Sequence, residues 1–247
     1  MTQLCDVVYI VCQWSSTIIR FDATTHRRLT DINVKDLRNP WDIAACEQTS
    51  QLYVTDYKEC IWGVSSEGED TRGWWTQSSS DRFRPHALSV SSSRVLVTSR
   101  DTQELMQLDA GGGQLQRIPL PDYMKPEHAV ESPTGTFVVG HENTLMNEND
   151  QYQVSEVNSE GEVLRQFSGP LGDTYHIAVD SQGNTFVADY HNRRILLLDA
   201  HLALRRVIID EYELNYKSPR RLCYNEQSGQ LLVGRYYGVS VFDVLQR

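Results

Sequence analysis

The 247 residues predict an all-β chain of the six-bladed β-propeller class. Three observations carry that prediction. First, a two-strand phrase recurs. Tyr9 to Asp22 reads YIVCQWSSTIIRFD, Leu96 to Asp109 reads LVTSRDTQELMQLD, and Phe186 to Asp199 reads FVADYHNRRILLLD. Shorter versions run from Tyr53 to Ser65 and from Leu232 to Asp243, and a stretched one from Phe137 to Asn158. Second, the closing residues Asp22, Ser65, Asp109, Asn158, Asp199 and Asp243 lie 43, 44, 49, 41 and 44 residues apart. A period near ~40–45 residues built from short strands marks a propeller blade. Third, Pro40-Trp41-Asp42-Ile43, Pro85-His86-Ala87-Leu88, Pro126-Glu127-His128-Ala129, Thr174-Tyr175-His176-Ile177 and Pro219-Arg220-Arg221-Leu222 recur in phase with the phrases. Proline lacks a backbone donor and suits the start of a strand.

In the clearest unit, His176–Asp180 is the inner strand and the turn Ser181-Gln182-Gly183-Asn184 follows. Thr185–Ala188 is a second strand, Tyr190–Arg193 a polar turn, and Ile195–Leu198 a third strand. Uninterrupted apolar runs suit strands buried on both faces, as in a blade packed between two neighbours. Leu204–Ile209 is a more polar outer strand at a wet rim. The blades are expected at approximately 1–36, 37–80, 81–122, 123–170, 171–214 and 215–247, within one domain. The first and last are expected to be incomplete. Residues 1 to 7 leave no room for a turn before the first phrase, so residues 2 to 6 supply one strand at most.

The unit HIAVDSQGNTFVADYHNRRILLLD resembles the NHL repeat, whose blades read Pro-x-Gly-Ile-Ala-Val-Asp, Gly-x-x-Tyr/Phe-Val-Ala-Asp and Asn-His-Arg-Ile. Residues 40–65 and 219–243 match it moderately, and the rest in outline. The chain resembles the C-terminal propellers of tripartite-motif ubiquitin ligases. The resemblance implies a recognition module, and some relatives of this kind bind single-stranded or hairpin RNA. No RING, B-box or coiled-coil segment is present, so ubiquitin ligation is not expected of this chain alone.

The formal net charge is −10. Residues 1–180 hold 14 Lys and Arg against 26 Asp and Glu, a balance of −12, whereas residues 181–247 hold 9 against 7, a balance of +2. The overall balance opposes non-specific nucleic-acid binding, which needs a positive surface. No apolar run reaches the ~18 residues of a membrane span. The start MTQLCDVVYIVCQW is a poor signal peptide, and no N-x-Ser/Thr sequon occurs. Cys5, Cys12, Cys46, Cys60 and Cys223 are odd in number and lack metal-like spacing, so they read as free thiols. These features together give a cytoplasmic expectation and a monomeric isolated domain.

In a propeller the loops before the first strands share a face with the loops joining second to third strands. The first set contributes Trp41, Asp42, His86, Glu127, His128, Tyr175, His176, Arg220 and Arg221. The second adds Tyr57, Arg100, His141, Tyr190, His191, Arg235 and Tyr236. Aromatic, Arg and His side chains at exposed loop positions are the usual ingredients of recognition. Solvated rim arginines and aromatics that seal blade junctions are the plainer alternative. A protein or peptide partner on this loop face is the first reading. RNA on Arg220, Arg221 and Arg235 with Tyr190 and Tyr236 is the second.

An enzyme in the channel is the third reading. His128 and His176 occupy the same place in adjacent units, with Asp42 at that place further round, and two His with one carboxylate can hold a catalytic metal. The peptide-amidating lyase, similar in fold, presents its zinc histidines from Pro-His pairs, of which only Pro85-His86 is kept here. Lactonase-type propellers use carboxylates and Asn, and Asp42 and Glu127 match them weakly. No catalytic residue, metal or cofactor is therefore assigned. Gly111-Gly112-Gly113 reads as a turn, because no helix follows it to complete a phosphate cradle.

Overall fold

The computed structural model describes residues 1–57, 60–78, 81–146 and 151–244. Parts of the second phrase (58–59) and of the stretched phrase (147–150) lie outside these residues. Among the described residues there are strands and turns and no helix. The six sheets give the all-β, six-bladed propeller fold. By contact density the chain divides into two compact units, Met1–Arg117 and Ile118–Arg247.

In the first unit, one antiparallel sheet holds β1 (Thr2–Leu4), β2 (Val7–Val11), β3 (Thr17–Asp22) and β4 (Ile32–Asn33). The next holds β5 (Pro40–Cys46), β6 (Gln51–Asp56), β7 (Cys60–Ser65) and β8 (Thr71–Thr76). A third holds β9 (Leu88–Ser91), β10 (Arg94–Ser99), β11 (Glu104–Leu108) and β12 (Gln114–Pro119).

The first sheet is complete, which corrects the expectation of a truncated first blade. Leu4 pairs with Val7, so only Cys5 and Asp6 form the turn. Cys5 adopts φ of 49°, the left-handed region that tight hairpins need. A cysteine there gives no turn signal in the sequence.

The second unit repeats the pattern. Its first sheet holds β13 (Met124–Glu131), β14 (Phe137–Asn143), β15 (Tyr152–Val157) and β16 (Val163–Gln166). The next holds β17 (Thr174–Val179), β18 (Thr185–Asp189), β19 (Arg194–Leu198) and β20 (Leu204–Ile209). The last holds β21 (Arg221–Asn225), β22 (Gln230–Arg235) and β23 (Gly238–Asp243), and among the described residues it has no fourth strand.

The apolar runs are buried on both faces by alternation. Phe186 and Ala188 of β18 join the core shared with β21 and β22, whereas Val187 joins the core shared with β14 and β15. On β19, Ile195 and Leu197 go one way, and Leu196 and Leu198 the other. The first unit does the same, with Leu52 and Val54 on one side and Tyr53 on the other.

The phrase-closing residues cap the turns that follow. Asp199 Oδ1 accepts from the backbone of His201 (2.8 Å) and Ala203 (2.9 Å). Asp22, Asp109 and Asn158 act the same way on Thr24, Gly111 and Glu160. This is the Asx-turn chemistry that short polar side chains provide.

Candidate functional site

The second landmark of the sequence is a β-bulge. Pairing slips by a residue between Pro40 and Asp42, between Pro126 and His128, and between Thr174 and Ile177. A bulge re-aims the side chains beside it. Trp41 and Tyr175 stay half-buried, while Asp42, His128 and His176 turn fully into the protein.

That burial corrects part of the loop-face expectation. Asp42, His128, His141 and His176 are buried strand side chains rather than exposed loop groups. Asp42 Oδ2 accepts from Leu88 N at 3.0 Å and so latches β5 to β9. In the same unit, Trp41 packs against His86 with ring centroids 4.9 Å apart. Tyr57 is exposed and Arg100 half-buried.

His128 and His176 do meet. Their rings stack at 3.7 Å with 25° between planes, and ligand nitrogens of the two lie within 4.8 Å of one another. Nitrogen lone pairs lie in the ring plane, so stacked imidazoles direct them side by side rather than toward one point. A zinc at ~2.0–2.1 Å from both needs them to converge. His176 Nδ1 accepts from Leu222 N at 3.4 Å. Burial, then the neighbouring His128 and Arg221, hold His176 well below the usual imidazole range.

One position near the end of the second strand clamps a loop in blades two, three, five and six. Buried Asp189 accepts from Gly172 N (2.8 Å), Asn192 Nδ2 (3.0 Å) and Arg194 Nε (2.7 Å). Asp56 accepts from Arg38 N (3.1 Å) and Asn39 N (2.8 Å). Ser99 Oγ accepts from Arg84 N at 3.2 Å. Arg235 reverses the polarity: it donates to the Leu214 carbonyl at 3.2 Å and also to Ser240 Oγ. His141 turns instead to Ser155 Oγ at 2.9 Å, and burial pulls its pKa down to about 4. The Asp of the FVAD and YVTD phrases is the sequence signal for this clamp, and neither Asp56 nor Asp189 was among the expected site residues.

The loops held by Asp189 and Arg235 present the densest aromatic cluster of the second unit. The Arg220 guanidinium lies 5.1 Å from the Tyr236 ring, 5.2 Å from Tyr190 and 5.9 Å from Tyr175. Such distances are in the cation–π range. Arg220 Nη2 donates to Tyr190 Oη at 3.3 Å. Tyr175 stands edge-on to Tyr190 at 4.9 Å and donates to Asp173 Oδ2 at 3.2 Å. His191, exposed, reaches the same oxygen at 2.8 Å. Burial, then Asp173, pushes the Tyr175 phenol up to about 12, so it is neutral at physiological pH. Tyr236 and Tyr237 sit exposed at the β22–β23 turn, their rings 4.5 Å apart. Arg221 is half-buried and donates to the Arg220 carbonyl at 3.1 Å. Asp173 and Tyr237 belong to the cluster and were not anticipated. Tyr237 directly follows Tyr236 in the sequence, whereas Asp173 carries no sequence signal.

The fold and this surface define a six-bladed propeller with an aromatic–arginine loop cluster. No protein-family model matches the chain, and no curated protein matches it by sequence. Solved structures match its fold. One, a crystal structure of a nidogen/laminin complex, aligns with a TM-score of 0.72 at 14% identity, over 97% of this chain and 89% of that one. Another, a protein of unknown function from Bacteroides caccae, aligns at 0.73 and 12% identity, over 96% and 90%. Identities this low show the fold alone.

Proposed function

We propose that this chain is an NHL-type propeller acting as a non-catalytic recognition module in the cytoplasm. It captures an extended protein segment on the Tyr/Arg surface of its last two blades. The observation that carries the reading is Arg220 set among three tyrosine rings. One of its guanidinium N–H groups reaches Tyr190, and the others are left to a ligand. Tyrosine and arginine dominate the energetics of protein interfaces, and a guanidinium fork matches a carboxylate. An acidic side chain flanked by apolar ones fits this surface. The nidogen/laminin structure is that of a complex, which supports a scaffold role for the fold. All five cysteines are free, which supports a reducing compartment.

RNA gains no support from the arginines. Arg235 is spent on Leu214 and Ser240, and Arg221 on a backbone carbonyl, so neither fork is presented whole to phosphate.

Selection of a displayed peptide library on the purified chain tests the reading. It expects acidic, aromatic-flanked sequences whose affinity drops about tenfold or more, ~1.4 kcal/mol, in Arg220→Ala. Absence of any enriched sequence, or binders indifferent to Arg220→Ala, would refute it. Retention of RNA at low salt, with a steep salt dependence, would turn the assignment to nucleic acid.

A further inference from the structure

Among the described residues the last sheet has an open edge. Every other described strand lies in one of the other five sheets, so nothing described pairs with the outer side of β23. Tyr236 and Tyr237 form a two-residue turn between the paired residues Arg235 and Gly238. In such a hairpin the flanking pair exchanges both backbone bonds, and the pattern alternates thereafter. Gly238, Ser240 and Phe242 therefore spend their amides on β22, and Val239, Val241 and Asp243 point theirs away from it.

The other sheets fix that phase independently. At the place of Asp243, Asp199 N donates outward to the Ala203 carbonyl, Asp109 N to Gly113 and Asp22 N to Arg27, each at 2.9 Å.

The edge is also undefended. Edge strands are commonly blunted by lysine, proline or a bulge. GVSVFD has none of these, and its register with β22 is unbroken. Val239 is half-buried where its counterpart Ile195 in the complete neighbouring sheet is buried, and Val241 is half-buried like its counterpart Leu197.

The five complete sheets show what chemistry covers a third strand. Four of their fourth strands place an arginine just before a buried apolar anchor: Arg72 with Trp74, Arg117 with Ile118, Arg165 with Phe167, and Arg206 with Ile208. Two of these arginines reach acids on the strand beside them, Arg165 to Glu156 at 3.2 Å and Arg117 to Glu104 at 3.3 Å. In the fifth sheet Arg206 stands opposite Leu197, the counterpart of Val241. An arginine so placed on β23 is within diagonal reach of exposed Asp243.

We infer that β23 is a strand-addition site. It takes an extended segment of a partner protein, antiparallel to Gly238–Asp243, with an arginine followed within two residues by a bulky apolar side chain. Main-chain bonds to Val239, Val241 and Asp243 supply affinity, and the apolar anchor supplies selectivity. This site is separate from the Tyr/Arg surface and does not depend on it.

The probe is a labelled synthetic peptide, ALRRVIID, with the sequence of residues 203–210. The expected result is saturable binding, with amide exchange newly slowed at Val239, Val241 and Asp243. Val241→Pro removes one outward N–H and no β22 bond, and edge positions tolerate proline. It should weaken binding by about tenfold or more at an unchanged melting temperature, and N-methylation of alternate peptide amides should do the same. Should Val241→Pro not fold, Val241→Lys, a charge on the edge, carries the same expectation. Equal binding by these variants overturns the proposal. So does slow exchange at the three amides before peptide is added, because the edge is then already occupied. A sedimentation-detected dimer abolished by Val241→Lys overturns it in favour of a second copy.

Discussion

Blades five and six carry the same second and third strands, yet they are completed differently. β18 and β19 are buried on both faces and closed by β20, whereas β23 ends its sheet half-exposed. The loop clamp also changes sign, from the carboxylate of Asp189 to the guanidinium of Arg235. What the two blades share is a bond from that position to the backbone just before their own first strand. Between these two blades the bond is kept while its charge changes.

The contrast in third strands gives the largest expected effect. Leu196→Ala in β19 removes a buried side chain from a two-sided core and should cost ~2–5 kcal/mol. Val241→Ala, at the half-exposed counterpart strand, should cost under about 1 kcal/mol. Chemical denaturation of both variants measures the difference, and equal losses would mean that β23 is as enclosed as β19.

The clamps come next. Asp189→Ala strands the Gly172 amide and the Arg194 guanidinium, for a loss of about 3 kcal/mol. Arg235→Ala leaves a carbonyl and a hydroxyl that water can reach through a half-buried site, for about 1 kcal/mol. If Arg235→Ala proved the costlier change, the ordering of the two blades would be reversed.

Blade four places a titratable side chain, His141, at the same position. The folded pKa of His141 is about 4 against an ordinary 6.5, so the unfolded chain takes the proton first. Stability is whole above pH 6.5, falls as pH drops below it, and levels off near pH 4. The share due to His141 is about 2 kcal/mol by pH 5. Melting temperatures at pH 7 and pH 5 should converge in His141→Gln relative to the parent. An unchanged pH slope would show that His141 is not protected from protons.

The smallest expected effect is at the β22–β23 turn. Tyr236→Ala should change stability by less than about 0.5 kcal/mol, because the ring is exposed. The same variant should weaken any peptide that needs Arg220, which separates binding from folding in one protein.

Strand positions were legible because apolar runs and turn residues are local signals. Thr185–Ala188 and Ile195–Leu198 fall inside β18 and β19, and Leu204–Ile209 is β20 itself. The faces of the first strands were not legible. Three of the five landmarks, at Pro40, Pro126 and Thr174, sit on a bulge, and a bulge shifts side-chain alternation by one residue, so His128 and His176 point inward where a loop was expected. The Arg220 cluster was legible as residue types only. Its three tyrosines come from the start of β17 and from two separate turns, and spacing along the chain does not show that they surround one guanidinium.

The variable clamp also bears on how such chains are detected. A profile weights residue identity column by column. At this column it meets Asp56, Ser99, His141, Asp189 and Arg235 in successive blades, an acid, an alcohol, an imidazole and a base. Scored for aspartate, the column credits blades two and five and penalises the other three, although the fold aligns over nearly the whole chain. Scored for the capacity to hydrogen-bond, it would accept all five. Divergent propellers of this kind should be sought by donor and acceptor geometry at the second-strand terminus and by blade spacing, rather than by a consensus letter.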